Sequence, residues 1–270
     1  MSGGTSAVQI RPGELVDILS TDFVKRMEST LAWGKAISEF LMLPGLRGFW
    51  PMSAHDNSNI FDLSGQGRTL TRNIVTSNWI GLAPTGRFDA ATSRYLNRAT
   101  ETGLEIVGTE SNTSSAYRGL TVGGWFNPDS TVNLAGYMAK YTNVAATSAF
   151  ALHQSTGVAD GARFVIYNGG VAYPVLSAAN AVTPSMWHFI IGRFAPSIGV
   201  SVFTDGVFVK NLVGIPASIT NSPADFEIGR LGGALVYYTG YGSLFFLCAM
   251  GLSDTILKAL YEHTRPLFGQ

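Results

Sequence analysis

Ser185-Met186-Trp187-His188-Phe189-Ile190-Ile191-Gly192-Arg193-Phe194, followed by Val200-Ser201-Val202-Phe203-Thr204-Asp205-Gly206-Val207-Phe208-Val209, is the stretch whose reading decides the fold. The first run is long, apolar and rich in the β-branched and aromatic residues that favour strands. The second alternates apolar and small polar positions, breaks at Asp205-Gly206, and alternates again. Asp-Gly between two such runs marks a tight hairpin, because its central residues need positive φ. Residues 187–210 therefore read as three consecutive antiparallel strands, with Trp187 entering a core. Alternation sends His188 to the other side of its sheet, where a structural hydrogen-bonding role is expected.

Working outward, period-two runs separated by Gly, Pro, Asn, Asp and Ser turns extend from Leu46 to about residue 250, without internal repeats. Many short strands at this spacing imply a β-sandwich or barrel. Upstream, Arg11–Leu19 reads as a short helix opened by Pro12, and Ser20-Thr21-Asp22 supplies capping oxygens for a longer one. Phe23, Met27, Leu31, Ile37 and Leu41 recur near helical spacing until Pro44-Gly45 stops the pattern, giving an amphipathic helix of about 20 residues. Downstream, Ser253 caps a short helix whose Leu252, Ile256, Leu257 and Leu260 share one face, with Pro266 past its end. That helix is expected to lie against the sandwich.

Composition narrows the function. With 46% hydrophobic residues the chain has ample material for a large core, and at 13% its charged share is about half the usual one. Eighteen Lys and Arg balance eighteen Asp and Glu, which argues against nucleic acid or an anionic membrane as the main partner. No run approaches the ~18 apolar residues of a membrane span. The first residues show no basic and apolar leader pattern, so synthesis in a cytoplasm is expected. The one cysteine, Cys248, sits in an apolar run and reads as a buried hydrophobe.

The ordered pieces together resemble the laminin G-like, concanavalin A-like jelly-roll family. Gly48-Phe49-Trp50-Pro51-Met52 is similar to its opening strand, and Asp62-Leu63-Ser64-Gly65-Gln66-Gly67 to its Asp-x-Ser-Gly-x-Gly turn. Arg87-Phe88-Asp89-Ala90 with Tyr95-Leu96 resembles the next strand pair, although Ala90 stands where the family carries Gly. Leu120–Phe126 resembles the strand with a core Trp, Phe226-Glu227-Ile228-Gly229-Arg230 the Ile-Gly strand, and Leu252-Ser253-Asp254 the closing helix. The resemblance covers about residues 46–265, in order. It implies an all-β, two-sheet antiparallel jelly-roll sandwich over 46–270, with a helical arm over 1–45 and a short C-terminal helix. Trp50, Trp125 and Trp187 are then expected between the two sheets. By analogy, an appended helix on such a sandwich looks like a bacteriophage virion protein.

Chemistry is sought and mostly not found. Glycan-cleaving relatives carry Glu-x-Asp-x-Glu along one strand; here only Asp225 and Glu227 alternate, with Pro223 before them, so the acid–base set is incomplete and a solvated strand edge is the simpler reading. Glu101, Glu105 and Glu110 are too loosely spaced for such a set. His55, His153, His188 and His263 are scattered without zinc spacing. Some relatives bind calcium, and Asp56, Asn57 and Asn59 beside Asp62 offer oxygen ligands, as would an ordinary polar turn. Tyr237, Tyr238, Tyr241 and Tyr173, set among glycines, are candidates either for a glycan or for a subunit interface.

The expectation is a non-enzymatic structural protein of a virus particle, located in the virion and oligomeric. Phe23, Met27, Leu31, Ile37 and Leu41 would grip other virion proteins, and the sandwich would face solvent for host attachment. The same stripe could instead dock on the chain's own sandwich. The alternative function is a carbohydrate-binding, lectin-like module; glycoside hydrolysis ranks last.

Overall fold

The computed structural model describes residues 22–53, 55, 59–73, 85–88, 96–98, 119–131, 134–155, 158–196, 199–211 and 213–270. The expected helix 11–19, Asp56, Asn57, Ala90 and Glu101, Glu105 and Glu110 lie outside these residues. In chain order come helix α1 (Asp22–Leu41), then strands β1 (Leu46–Trp50), β2 (Asn59–Ile60), β3 (Leu70–Arg72), β4 (Gly86–Phe88), β5 (Leu96–Arg98) and β6 (Leu120–Pro128). Next are β7 (Gly136–Lys140), β8 (Phe150–Gln154), β9 (Ala162–Asn168), β10 (Val171–Leu176), β11 (His188–Ala195), β12 (Gly199–Thr204) and β13 (Val207–Asn211). Last are β14 (Phe226–Ile228), β15 (Arg230–Leu231), β16 (Val236–Tyr237), β17 (Gly240–Cys248) and helix α2 (Asp254–Thr264).

The deciding stretch folds as its pattern requires. β11, β12 and β13 pair antiparallel in sequence order, and Asp205 and Gly206 turn the hairpin at φ +48° and +90°. They end a seven-stranded sheet ordered β1-β17-β6-β11-β12-β13, in which β4 also pairs with β17. An eight-stranded sheet, β10-β9-β8-β7-β14-β5-β3-β2, faces it. Inward side chains of both sheets form one core: Trp50, Phe88, Phe126 and Phe245 meet Tyr137, Phe150, Phe164 and Phe226. The Trp50 and Phe226 rings stack at 5.4 Å, and the indole N–H of Trp50 donates to the Arg68 carbonyl at 2.8 Å. All sheet pairings among the described residues are antiparallel, so the molecule is a two-layer β-sandwich.

The seven-stranded sheet is apolar on its other face as well. There Trp125, Phe189, Phe246, Phe49 and Cys248 form a second core roofed by α1, α2 and the short 3-10 helix Arg265–Phe268. This corrects the expectation for the tryptophans. Only Trp50 lies between the sheets. Trp125 stacks on Phe268 at 4.3 Å and donates to the Thr264 hydroxyl at 2.9 Å, while Trp187 is half-buried against Phe268 on the same outer side. Alternation assigns a side chain to a face but not the layer that covers that face.

The roof also answers how the first helix is used over its described part. Ala36, Phe40 and Leu43 are buried, and Trp33 and Ile37 pack beside them; Phe40 lies over Phe49 at 5.0 Å and Phe246 at 5.1 Å. Ile37 thus packs on the chain's own sheet. Leu31 and Leu41 are exposed, and the side chains of Phe23 and Met27 are outside the described ones. Over its described part the helix seats Trp33, Ile37 and Phe40 on the aromatic floor and leaves Leu31 and Leu41 in solvent.

α2 is fixed at its start. Ser253 accepts the Ile256 N–H at 3.3 Å as N-cap, and the buried Arg193 reaches through the sheet's outer face to the Leu252 carbonyl and Asp254 Oδ1, both at 2.7 Å. Although partial burial opposes it, the hydrogen bonds from Lys210 and Arg193 hold the Asp254 carboxyl below its ordinary range. Replacing Arg193 by Leu removes a charged donor and strands the Leu252 carbonyl. The expected cost is about 2 kcal/mol in urea unfolding, with an unchanged m-value.

Candidate functional site

Where the helical roof ends, the outer face of the seven-stranded sheet carries a polar and aromatic row. Tyr241 on β17 is paired with Arg87 on β4 to one side and with Asn127 on β6 to the other. His188 pairs with Phe126, so Trp187 continues the row beyond Asn127 on the same face. At the ~4.8 Å spacing of strands, Arg87 to Trp187 spans about 14 Å. The Arg87 guanidinium lies 4.8 Å from the Tyr241 ring centroid and binds the Asp129 carboxylate in a fork at 2.7 and 2.5 Å. Tyr241 remains 36% exposed, and Met186 next to Trp187 is exposed too. A fixed ring, an amide and a neutralised ion pair thus share one shallow surface.

The other tyrosines of the sequence reading go elsewhere. Tyr238, expected as a glycan contact, is 1% exposed; it packs in the inter-sheet core against Phe88, Phe126 and Tyr137 and donates its hydroxyl to the Tyr241 carbonyl at 2.9 Å. That bond helps set the backbone at Tyr241, so Tyr238 supports the row from below. Burial raises its phenol well above the usual value. Tyr237 is half-buried with Arg230 5.9 Å from its ring, and Tyr173 is half-buried against the inter-sheet core. The sequence reading missed Arg87, Asn127 and Asp129, whose nearness depends on pairing between distant strands.

The calcium candidates are committed or out of view. Asp62 Oδ1 accepts the Phe49 and Ser64 N–H groups, and Oδ2 accepts the Ser64 hydroxyl and the Arg68 N–H, at 2.8–2.9 Å. With Gly65 and Gly67 at φ +80° and +68°, this is a side-chain-braced turn. Asn59 lies in β2. Among the described residues no three His, Cys, Asp or Glu side chains converge as a metal site.

Three further titratable groups are engaged within the fold. Glu227, read as part of a solvated strand edge, is instead buried in the central strand β14 and pairs with Arg230; desolvation raises its carboxyl although Arg230 opposes the shift. His188 shares Nδ1 with Asp205 Oδ2 at 2.5 Å and sets Nε2 against the Thr183 backbone, which ties the chain before β11 to the hairpin tip. Burial pushes the Cys248 thiol up, which leaves it protonated and inert.

No protein-family model matches the chain, and no curated protein does either. Solved structures do match in fold. One is the receptor binding domain of botulinum neurotoxin C/D mosaic serotype, at 9% identity and TM-score 0.56, over 81% of this chain and 51% of that one. Another is the binding domain of Paraclostridial Mosquitocidal Protein 1, at 11% identity and TM-score 0.58, over 80% and 52%. A third is the binding domain of botulinum neurotoxin DC in complex with SialylT, at 12% identity and TM-score 0.53, over 83% and 52%. The chain therefore spans about half the length of the solved structures it matches, and what is similar is the β-sandwich fold.

Proposed function

We propose that the chain is a non-enzymatic, carbohydrate-binding module built on a laminin G-like, concanavalin A-like jelly-roll sandwich. The observation that carries this reading is the row Arg87–Tyr241–Asn127–Trp187. A sugar ring presents a C–H face and an equatorial rim of hydroxyls; an exposed phenol ring suits the first, and an amide with a carboxylate–guanidinium fork suits the second. Because Arg87 and Asp129 cancel, the row favours a neutral saccharide over an anionic one. The fold matches support a binding role, since each is described as a binding domain and one is in complex with SialylT.

Tyr241→Ala is expected to weaken glycan binding at least tenfold, about 1.4 kcal/mol, measured by calorimetry against hits from a glycan array. Stability should move by less than about 0.5 kcal/mol, because the side chain lies at the surface. Silence of the folded wild-type chain on the array, or binding that survives the substitution, sinks the reading.

A second reading is favoured by one observation: Leu31 and Leu41 on α1 and Met42 just past its end, the last 83% exposed, leave large apolar side chains in solvent. It is a structural protein of a virus particle, made in a host cytoplasm, anchored through this helix to other virion proteins and oligomeric, with the sandwich displayed for attachment. Both readings hold together if the displayed row binds a cell-surface glycan. Copurification of the native protein with particles decides the second.

A further inference from the structure

Beyond the glycan reading, we infer that a cleft at the open end of the sandwich binds a primary ammonium group carried on a short aliphatic body. The cleft, about 280 Å³, lies between the β12–β13 hairpin and the segment that follows β10. That size is near the lower end of ligand pockets, about 300–1,000 Å³. The sequence creates the space. After β10 the chain runs Ser177-Ala178-Ala179-Asn180-Ala181, and its three alanines line the cleft together with Val207 and Val209. Val207 is 62% exposed although it pairs with Thr204, so the hairpin tip extends past the layer that covers its neighbours.

Two polar groups give the cleft its chemistry. Val200 and Val202 point into the inter-sheet core, and alternation along β12 sends Thr204 the same way. Thr204 is 5% exposed, yet its hydroxyl has no hydrogen-bond partner. Buried hydroxyls are nearly always paired, so an unpaired one on a cleft wall marks an unmet demand for a ligand or a water. Asp205 is the one charged residue of the lining. Its Oδ1 accepts the Phe189 N–H at 2.7 Å and its Oδ2 faces His188 Nδ1, which leaves each oxygen a further lone pair. Ser177 is already engaged, accepting the Ala162 N–H at 2.9 Å and donating to the Ala178 carbonyl at 3.0 Å.

These features select a ligand class. The lining holds no aromatic ring, so it offers a sugar no face to stack on. Its single charge is negative, which disfavours phosphate and carboxylate. A primary ammonium carries three donors, enough for Asp205 and the Thr204 oxygen, and an alkyl stem suits the alanine and valine walls. Lysine side chains and small alkylamines share this chemistry. The cleft and the tyrosine row use opposite faces of the sheet, so the two proposals stand or fall separately.

The test is a titration of the full chain with n-butylammonium and, in parallel, with neutral butan-1-ol, followed by amide NMR. Saturable shifts confined to residues 177–181 and 204–209 are expected for the amine and not for the alcohol. Val207→Trp, a change at an exposed position, should close the mouth and abolish the response without altering the melting temperature. Thr204→Val should weaken it about 3- to 10-fold. Tyr241→Ala should leave it unchanged. The absence of a saturable amine response, an equal response to the alcohol, or a response that survives Val207→Trp overturns the proposal.

Discussion

Phe40→Ala is expected to destabilise the protein by about 3–5 kcal/mol, the cost of deleting a fully buried ring whose site cannot collapse. The ring is 0% exposed and wedged between Phe49 and Phe246 on one sheet, so the floor of the second core would be left with a void. For a chain of this size the melting temperature should fall by roughly 10 °C. Leu41→Ala, one residue along the same helix but exposed, should stay within about 0.5 kcal/mol and serves as the internal control. Equal and small effects at both positions would mean that the helix is a tether rather than a roof. The same logic applies to removing residues 1–44: the truncated chain should lose solubility as well as stability, because Phe49, Phe246 and Phe268 would face water.

Acid should destabilise the protein well above the pH at which carboxylates titrate. Burial is the main reason that His153 is pushed down from 6.5 to about 4; a hydrogen bond to the Gln154 carbonyl opposes the shift and the nearby Arg163 adds to it. The folded pKa is depressed, so the unfolded chain takes up the proton first. The histidine's contribution is complete above about pH 6.5 and is lost as pH falls towards about 4, some 3 kcal/mol in all. Between pH 7 and pH 5 about 2 kcal/mol should disappear, before most Asp and Glu side chains respond. His153→Gln should flatten this part of the curve, read from urea midpoints at the two pH values. An identical slope in the variant would assign the acid sensitivity to other groups.

Much of the architecture was legible because it rests on local chemistry. Asp205-Gly206 announced a hairpin through its need for positive φ, Asp62 and Ser64 announced a braced turn, and Pro44-Gly45 announced the end of α1; each is decided by a few neighbouring residues. Layer assignment was not legible. β6 is buried on both faces, so its pattern cannot say that Phe126 meets the second sheet while Trp125 meets the helices. The site was legible in part. Tyr241 stands out as an aromatic among glycines, but so does Tyr238, which dips into the core three residues earlier. Arg87 in β4 and Asp129 just past β6 are far apart in sequence, and only the pairing of β4 and β6 with β17 brings them to Tyr241.

Strand β17 carries a last consequence. Its outer edge is shared by two short strands, β4 along 240–242 and β1 along 245–248, and between them its register against β6 shifts around Leu244, which sits at φ +48°. Each tile keeps its own alignment, so the connecting chain can lengthen or shorten without sliding either one. The Tyr241 end and the Trp50 end are thus aligned by different partner strands. A sheet edge tiled by two short strands lets residues be inserted between the tiles without shifting the register of either.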